Sequence, residues 1–402
     1  MNPPRILIVA GSDSGGGAGI QADIKTATML GCHAMTAITA ITAQNTLGVD
    51  AVHPIPTDMV MAQVDCVIRD IGVDAVKIGM IGSARTAAAL AERLAEMPGL
   101  PIVFDPVMIA TSGATLADDA TIAAFERLMR IATVTTPNLP ELKALSGMSI
   151  VDKAAQRTAA RSLVQRRGSA LLVKGGHAKG RQVTDRLFQQ FAIAAPGGSA
   201  PEIEWTDPRI DGDSTHGTGC TLSSAIACEL AKDWTLPEAI GRARRFVRIA
   251  MQDAADLGQG HGPMAQQAVR LDLNQSRWSP MLNHVTVPAK ALSESEHFYR
   301  LLGLRQIVRS EDRYARFETE GGATLSIEVE QPLAAPVVYL ECGDLDVTVP
   351  YLKAQGLTFT QEPIEQKWGW REARLVDPAG NAICLYQAGE MRRFPPWRIA
   401  DA

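Results

Sequence analysis

The chain has 402 residues, 46% hydrophobic and 21% charged, with a net charge of −5. That length exceeds one typical core, so two domains are expected. The mild acidity offers no field for a nucleic acid or a membrane surface, so an anionic substrate must be held by local geometry.

Cys32, Cys66, Cys220, Cys228, Cys342 and Cys384 show no CxxC spacing, and the chain is too long for a disulfide scaffold. Such usage fits free thiols in a reducing, cytoplasmic compartment. The N-terminal apolar run RILIVA (5–10) is too short for a signal peptide. No apolar run approaches membrane-spanning length.

RILIVA reads as a buried strand that meets a glycine-rich turn and a helix over AGIQADIKTATMLG (18–31). Apolar runs recur at HAMTAITAITA (33–43), AVKIGM (75–80), IVFDPV (102–107), ATVTTP (132–137) and ALLVKGG (170–176). Helical patterns at 84–97, 118–130 and 152–167 separate most of them, and a helical pair at 217–232 and 235–257 closes this half. Strands alternating with helices predict an α/β fold whose mainly parallel sheet is covered on both faces. Glycine, proline and glutamine break the pattern over 258–281. This predicts a first domain over 1–265, a linker over 266–281, a second domain over 282–390 and a C-terminal tail over 391–402.

The second domain contains a repeat. LNHVTVPAKALSESEHFYRLLGL (282–304) lies over APVVYLECGDLDVTVPYLKAQGL (335–357) without a gap, with Gly303 on Gly356 and Phe298 on Tyr351. RYARFETEGGATLSIEV (313–329) lies likewise over REARLVDPAGNAICLYQ (371–387). Each half reads strand, helix, three strands, which predicts an α+β domain of two βαβββ units.

The chemistry of the first half gathers at predicted strand ends. AGSDSGGGAGIQAD (10–23) allows close backbone approach, but it lacks the GxGxxG spacing and the Lys-Ser/Thr ending of a P-loop. On glycine content alone, a plain strand–helix turn explains it equally well. TAQNT (42–46) offers Gln44, and KIGM (77–80) ends a strand at Met80. FDPVM (104–108) puts Asp105 at a strand end, TPNLPE (136–141) puts Asn138 and Glu141 just after one, and KGGH (174–177) does the same for Lys174. Ligand sites of parallel sheets lie outside the carboxyl ends of the strands. Asp23, Gln44, Met80, Asp105, Asn138, Glu141 and Lys174 are therefore expected around one crevice. HGTGC (216–220) adds a helix N-terminus, where a phosphate site, a reactive thiolate or an ordinary helix start all fit. Met80 reads equally as core, Asp105 as a turn cap and Asn138–Pro140 as turn chemistry.

GSDSGGGAGIQAD, ITAITAQNT, KIGM, DPVM, TPNLPE, KGGH and HGTGC stand here in the order in which the bacterial hydroxymethylpyrimidine/phosphomethylpyrimidine kinases carry them. Over roughly residues 4–265 the chain resembles that family, which belongs to the ribokinase-like superfamily. Ser14 and Gly15 stand where the family usually has a proline, and Thr42 where an aliphatic residue is common; neither change removes a chemical group. The resemblance implies a three-layer αβα sandwich. It also implies ATP- and Mg²⁺-dependent phosphorylation of 4-amino-5-hydroxymethyl-2-methylpyrimidine, then of its monophosphate, in thiamine synthesis or salvage. A pyridoxal or pyridoxine kinase of the same fold is the alternative.

By the same resemblance, Gly217, Thr218, Gly219 and Cys220 form an anion hole for the γ-phosphate, with Thr218, Asn138 and Lys174 on the nucleotide. Asp105 and Glu141 suit Mg²⁺. Gln44 suits the ring nitrogen and amine of the pyrimidine. Asp23 faces its hydroxymethyl end, while Gly11 and Met80 wall the ring. Cys220 stands where many relatives have an aspartate base, and a helix N-terminus is expected to lower its pKa.

The paired βαβββ pattern resembles the glyoxalase/bleomycin-resistance/dioxygenase superfamily. Its usual metal positions map to His284, Ser326, Val337 and Cys384, a set poor in ligands, with Glu328 a weak substitute. That implies a metal-free small-molecule binding module, or one that sequesters a toxic analogue. Trp368, Trp370, Tyr339 and Tyr314 would line its cavity, or else form core or a dimer interface. Both families commonly pair, which implies a homodimer.

Overall fold

The computed structural model describes residues 2–108, 116–176, 180–189, 202–210, 212, 216–269, 280–319, 321–330, 332–378 and 380–399. The chain divides into two compact units, Met1–Gln267 and Ala268–Ala402. No helix among the described residues is long and apolar enough to cross a membrane.

The first unit runs β1 (Arg5–Asp13), α1 (Gly19–Met29), β2 (His33–Gln44), β3 (Val49–Pro54), α2 (Thr57–Asp70), β4 (Ala75–Ile78) and α3 (Ala84–Ala95). It continues with β5 (Ile102–Phe104), α4 (Asp119–Ile131), β6 (Val134–Thr135), α5 (Leu139–Ser146), α6 (Lys153–Arg167) and β7 (Ala170–Val173). It closes with β8 (Gln182–Phe188), β9 (Glu202–Pro208), α7 (Thr218–Leu230) and α8 (Leu236–Gln252). The strands form one sheet in the order β3-β2-β1-β4-β5-β6-β7-β8-β9. Its centre, β2 to β7, is parallel, and both edges are antiparallel. Along β1, Ile6 and Ile8 alternate with Leu7 and Val9, and all four are fully buried. Such two-sided burial requires helices on both faces. Leu7 and Val9 join residues of α2, α3, α4 and α6 in the main core, while α1 and α7 pack against β1. The predicted αβα layering is therefore present.

The second unit runs β10 (Met281–Ala289), α9 (Leu292–Leu301), β11 (Arg305–Ser310), β12 (Tyr314–Glu318) and β13 (Thr324–Val329). It then repeats as β14 (Val337–Glu341), α10 (Leu345–Ala354), β15 (Phe359–Glu365), β16 (Arg371–Val376) and β17 (Ala382–Gln387). The sheet order β11-β12-β13-β10-β14-β17-β16-β15 places the two halves symmetrically. The gapless overlay agrees with the pairing: His284 faces Thr324, and their repeat counterparts Val337 and Ala382 face each other.

Two boundaries differ from expectation. Gln266, placed at the start of the linker, is fully buried and donates to Thr221 of α7 at 3.2 Å, so the first unit reaches Gln267. Most of the predicted linker, residues 270–279, lies outside the described residues. The predicted tail is packed as far as it is described. Arg392 is fully buried with its guanidinium on the Gly322 carbonyl at 2.6 Å, and Ile399 N donates to Ile307 O at 2.9 Å.

Candidate active site

The crevice of the first unit forms where the parallel strands end. Gly217 caps α7 in the left-handed region, with φ 79°. A Cβ there would lie 1.9 Å from Gly17 O, so only glycine lets this turn close onto the first glycine loop. The first-turn amides of α7 have no intrahelical acceptor and carry the positive end of the helix dipole. Thr218, Gly219 and Cys220 open that turn.

Lys174 and Asp105 reach this turn from β7 and β5. A Cβ on Gly219 would lie 3.2 Å from Lys174 Nζ and 3.3 Å from an Asp105 oxygen. Lys174 Nζ is 2.6 Å from Asp105 Oδ1 and 3.9 Å from Glu141 Oε2. Thr136 donates to the same Asp105 oxygen at 2.9 Å. Burial opposes the Lys174 charge, but Asp105 and Glu141 outweigh it and hold the pKa above the usual lysine value. Burial also pushes Glu141 up to about 7; nearby Asp105 adds to this and Lys174 offsets part of it. Asn138 caps α5: its Oδ1 accepts from Glu141 N at 2.9 Å, and Glu141 Oε2 accepts from Asn138 N at 2.7 Å. This side-chain oxygen is therefore engaged in a capping box rather than turned out toward a nucleotide.

Two expectations need correction. Asp23 is fully buried: Lys77 Nζ donates to it at 2.7 Å and Ser224 Oγ at 2.7 Å. It forms an internal ion pair beneath the site and does not present an open carboxylate to a hydroxymethyl group. Burial works against the Lys77 charge, but Asp23 and other nearby acidic groups hold its pKa above the ordinary value. The second correction concerns Cys220. Burial pushes its thiol up to about 11; Lys77 and the Gly19 amide oppose the shift without reversing it. Desolvation outweighs the helix terminus, so the thiol is protonated at neutral pH.

On the opposite wall, a Cβ on Gly11 would lie 3.0 Å from Met80 Sδ, so these two residues face each other. The Gln44 amide nitrogen lies 3.1 Å from His216 Nε2, and its oxygen accepts from Thr42 Oγ1 at 3.2 Å. His216 Nε2 also lies 3.0 Å from Asp13 Oδ2. Asp13 accepts the amides of Gly15 at 2.8 Å, Gly17 at 3.1 Å and Ala18 at 2.7 Å. Burial works against the Asp13 charge, yet His216 and the Ala18 and Gly15 amides hold its carboxyl below the usual range. Asp13, Lys77, His216 and Ser224 were absent from the residues expected at the site. His177 of KGGH lies outside the described residues.

In the second unit, His284 Nδ1 is 2.8 Å from Thr324 Oγ1 and Nε2 is 3.2 Å from Thr286 Oγ1. Its ring lies edge-on to Tyr339 and Trp370 at 4.9 and 5.2 Å. Burial, with Arg316 and Arg392 nearby, holds its pKa well below the usual histidine value. Trp370 and Tyr339 are buried core, whereas Trp368 is exposed. Among the described residues of the whole chain, no group of three or more His, Cys, Asp or Glu side chains could hold a metal.

A helix start facing a lysine and two carboxylates across parallel strand ends suits phosphoryl transfer, where positioning and charge stabilisation do most of the catalysis. The first unit is thus of the phosphotransferase class. Residues 13–265 match the family described as Phosphomethylpyrimidine kinase, and residues 281–385 match the Glyoxalase/Bleomycin resistance protein/Dioxygenase superfamily. The chain belongs to the phosphomethylpyrimidine kinase family and carries a glyoxalase-type domain in its C-terminal region.

The hydroxymethylpyrimidine/phosphomethylpyrimidine kinase of Haemophilus influenzae is 43% identical over 263 residues, 65% of this chain and 96% of that protein. The thiamine biosynthesis bifunctional protein ThiED of Geobacter sulfurreducens is 46% identical over 260 residues, 64% of this chain and 51% of that protein. The chain thus spans about half of that relative. The Bacillus subtilis pyridoxal kinase, solved as an ADP complex, superposes with a TM-score of 0.59 at 34% identity, covering 67% of this chain and 100% of that one.

Proposed function

We propose that the first unit transfers the γ-phosphoryl group of ATP to the hydroxymethyl oxygen of 4-amino-5-hydroxymethyl-2-methylpyrimidine, and then to the resulting monophosphate. The observation that carries this reading is the placement of Lys174 and Asp105 directly over the first turn of α7. The substrate hydroxyl attacks the γ-phosphorus while the bond to the ADP oxygen breaks. The amides of Gly217, Thr218, Gly219 and Cys220 and the Lys174 ammonium stabilise the charge on the transferring group. Gly11 and Met80 hold the ring. The oxygen-rich pair Asp105 and Glu141 suits Mg²⁺ bound partly through water, which would neutralise phosphate charge. In this reading Thr218 and the NH₂ end of the Asn138 amide, which the α5 cap does not use, border the nucleotide. The reaction belongs in a reducing, cytoplasmic compartment.

A thiol with a pKa of about 11 is a poor base at rest. The two phosphorylations therefore differ in what they ask of Cys220. The alcohol must lose a proton, whereas the monophosphate, with a second pKa of about 6, is already anionic at pH 7. Turnover of the alcohol is expected to rise about tenfold per pH unit between pH 7 and 9, while turnover of the monophosphate stays flat. Cys220→Ala should abolish that slope. ADP release across this pH range checks both; an alcohol profile with the same slope in Cys220→Ala removes the thiol from proton transfer.

The similarity to a pyridoxal kinase supports a second reading, phosphorylation of pyridoxal. Wild-type turnover on pyridoxal alone would decide for it. For the second unit, we propose a role in homodimer formation, supported by the exposed apolar side chains Phe298, Leu301 and Leu302 at the end of α9. Light scattering that finds only monomers at micromolar concentration would reject it.

A further inference from the structure

The Gln44 carboxamide lies between an imidazole and a hydroxyl, and its orientation decides what it offers a ligand. His216 Nε2 is 3.0 Å from Asp13 Oδ2 and 3.1 Å from the Gln44 amide nitrogen. One ring nitrogen has either a proton or a lone pair, so it cannot donate to Asp13 and accept from Gln44 together. Asp13 accepts three backbone amides as a carboxylate, so Nε2 must carry a proton, whether the ring is neutral or charged. The Gln44 atom that faces it must then be an acceptor.

A second conflict lies at the other end of the amide. Thr42 Oγ1 is 3.0 Å from Ser12 O and 3.2 Å from Gln44 Oε1. Both are acceptors, and a hydroxyl has one proton. A half-turn about the terminal bond of Gln44 removes the competition at Thr42 and puts an acceptor opposite the His216 proton, which Asp13 Oδ2 and Gln44 Oε1 then share as a three-centre bond. Gln44 Oε1 is then the second acceptor of the His216 Nε2 proton, beside Asp13 Oδ2. Gln44 Nε2 donates to Thr42 Oγ1, whose own proton goes to Ser12 O.

We propose that His216, anchored by Asp13, is a positioning residue. It locks the Gln44 carboxamide with its oxygen toward α7 and its NH₂ toward β2, and so selects rings that carry an amine beside the reacting hydroxymethyl. This rests on the pyrimidine-kinase reading above. In that substrate the 4-amine adjoins the carbon bearing the hydroxymethyl group, and ring nitrogen N3 comes next. With the hydroxymethyl turned toward the first turn of α7, the amine meets Gln44 Oε1 on the His216 side. N3 meets the remaining N–H of Gln44 on the Thr42 side. Gly17 makes the anchor close-fitting, since a Cβ there would lie 2.3 Å from His216 Cδ2.

The test uses the 4-oxo analogue, 5-hydroxymethyl-2-methylpyrimidin-4(3H)-one, in which O4 accepts and N3–H donates. A Gln44 free to turn would accommodate either ring, whereas a locked one opposes acceptor to acceptor and donor to donor. The wild-type full chain should favour the 4-amino ring in kcat/KM by at least about 100-fold. His216→Ala should shrink that preference below about 10-fold, and His216→Gln, which keeps a nitrogen donor, should restore it. A His216 that only supports the fold would lower both substrates together and leave the ratio unchanged, which would overturn the proposal. Should His216→Ala fail to fold, the wild-type ratio decides alone: a preference below about 3-fold rejects the lock. Absence of wild-type turnover on the 4-amino ring would instead reject the pyrimidine-kinase reading itself.

Discussion

In the first unit, Lys174 and Asp105 meet beside Gly219, and Lys77 meets Asp23 beside Gly79, whose Cβ would lie 2.8 Å from Lys77 Nζ. In the second unit, the buried charge of Arg316 is backed by rings. Arg316 lies 4.5 Å from the Trp370 ring centroid, and Trp370 lies 4.8 Å from Tyr386. Both regions satisfy buried polar groups, as any interior must. They differ in what lies next to the charge. Bare backbone leaves donors open to a ligand, whereas aromatic packing uses the space. Burial and charge alone therefore do not mark a site, nor does a neighbouring glycine, since Lys77 and Asp23 beside Gly79 are fully buried; the first-turn amides of α7 beside Lys174 and Asp105 do.

Four experiments test that contrast. Lys174→Ala strikes the open region and should lower turnover about 10³-fold, read as ADP release, by removing charge stabilisation from the transferring group. A loss below about 10-fold would make Lys174 a structural cation like Lys77. Trp370→Ala strikes the filled region and should cost about 3–5 kcal/mol in urea unfolding. Retained stability would mean that the face around His284 is open rather than packed.

Glu141 gives a pH-dependent version. Its carboxyl titrates near 7 in the folded chain against an ordinary 4.5. Between those values the folded state holds a proton that the unfolded chain has lost. This contribution to stability is fully present below pH 4.5 and falls by about 3 kcal/mol as pH rises to 7. Glu141→Gln should remove that slope, and unfolding curves of both proteins across this range measure the difference. The smallest effect is expected at the surface. Arg371 grips Asp346 through two bonds of 2.6 Å, but Asp346 is 69% exposed. Arg371→Ala should cost under about 1 kcal/mol.

The parts of this architecture that announce themselves in sequence have local causes. Helices α3, α4 and α6 begin after Ser83, Asp118 and Asp152, each of which accepts an amide of its own first turn. The repeat register followed from gapless matching. Strands β8 and β9 gave no such signal, because QVTDRLF and EIEWTDP have no apolar run. They are joined instead by cross-strand pairs such as Arg186 with Glu204 at 2.7 Å. Helix α2 was also silent, with only Val60 and Val64 fully buried.

Among site residues, Asp105, Glu141 and Lys174 were legible because strand ends of a parallel sheet converge. Lys77 had a readable signal that went unused: a lysine inside the apolar run AVKIGM requires a buried counter-charge. The partnership of Asp13 with His216 had none, because no spacing rule links residues 203 positions apart. The misjudged Cys220 pKa has a different origin. A helix N-terminus is visible in sequence, whereas the desolvation by the surrounding fold that outweighs it is not.

That long separation also bears on how the enzyme comes into being. The bonds that tie the α7 region to β1 and α1, Asp13 to His216 and Asp23 to Ser224, span 203 and 201 residues. Loops of that size close late, after local helices and neighbouring strands have formed. All strands of the parallel centre precede α7 in the chain and are synthesised before it. The chain therefore has the means to bind neither phosphate nor ring in a competent geometry until α7 has been made and docked. A chain stopped anywhere before α7 is expected to be inert rather than partly active.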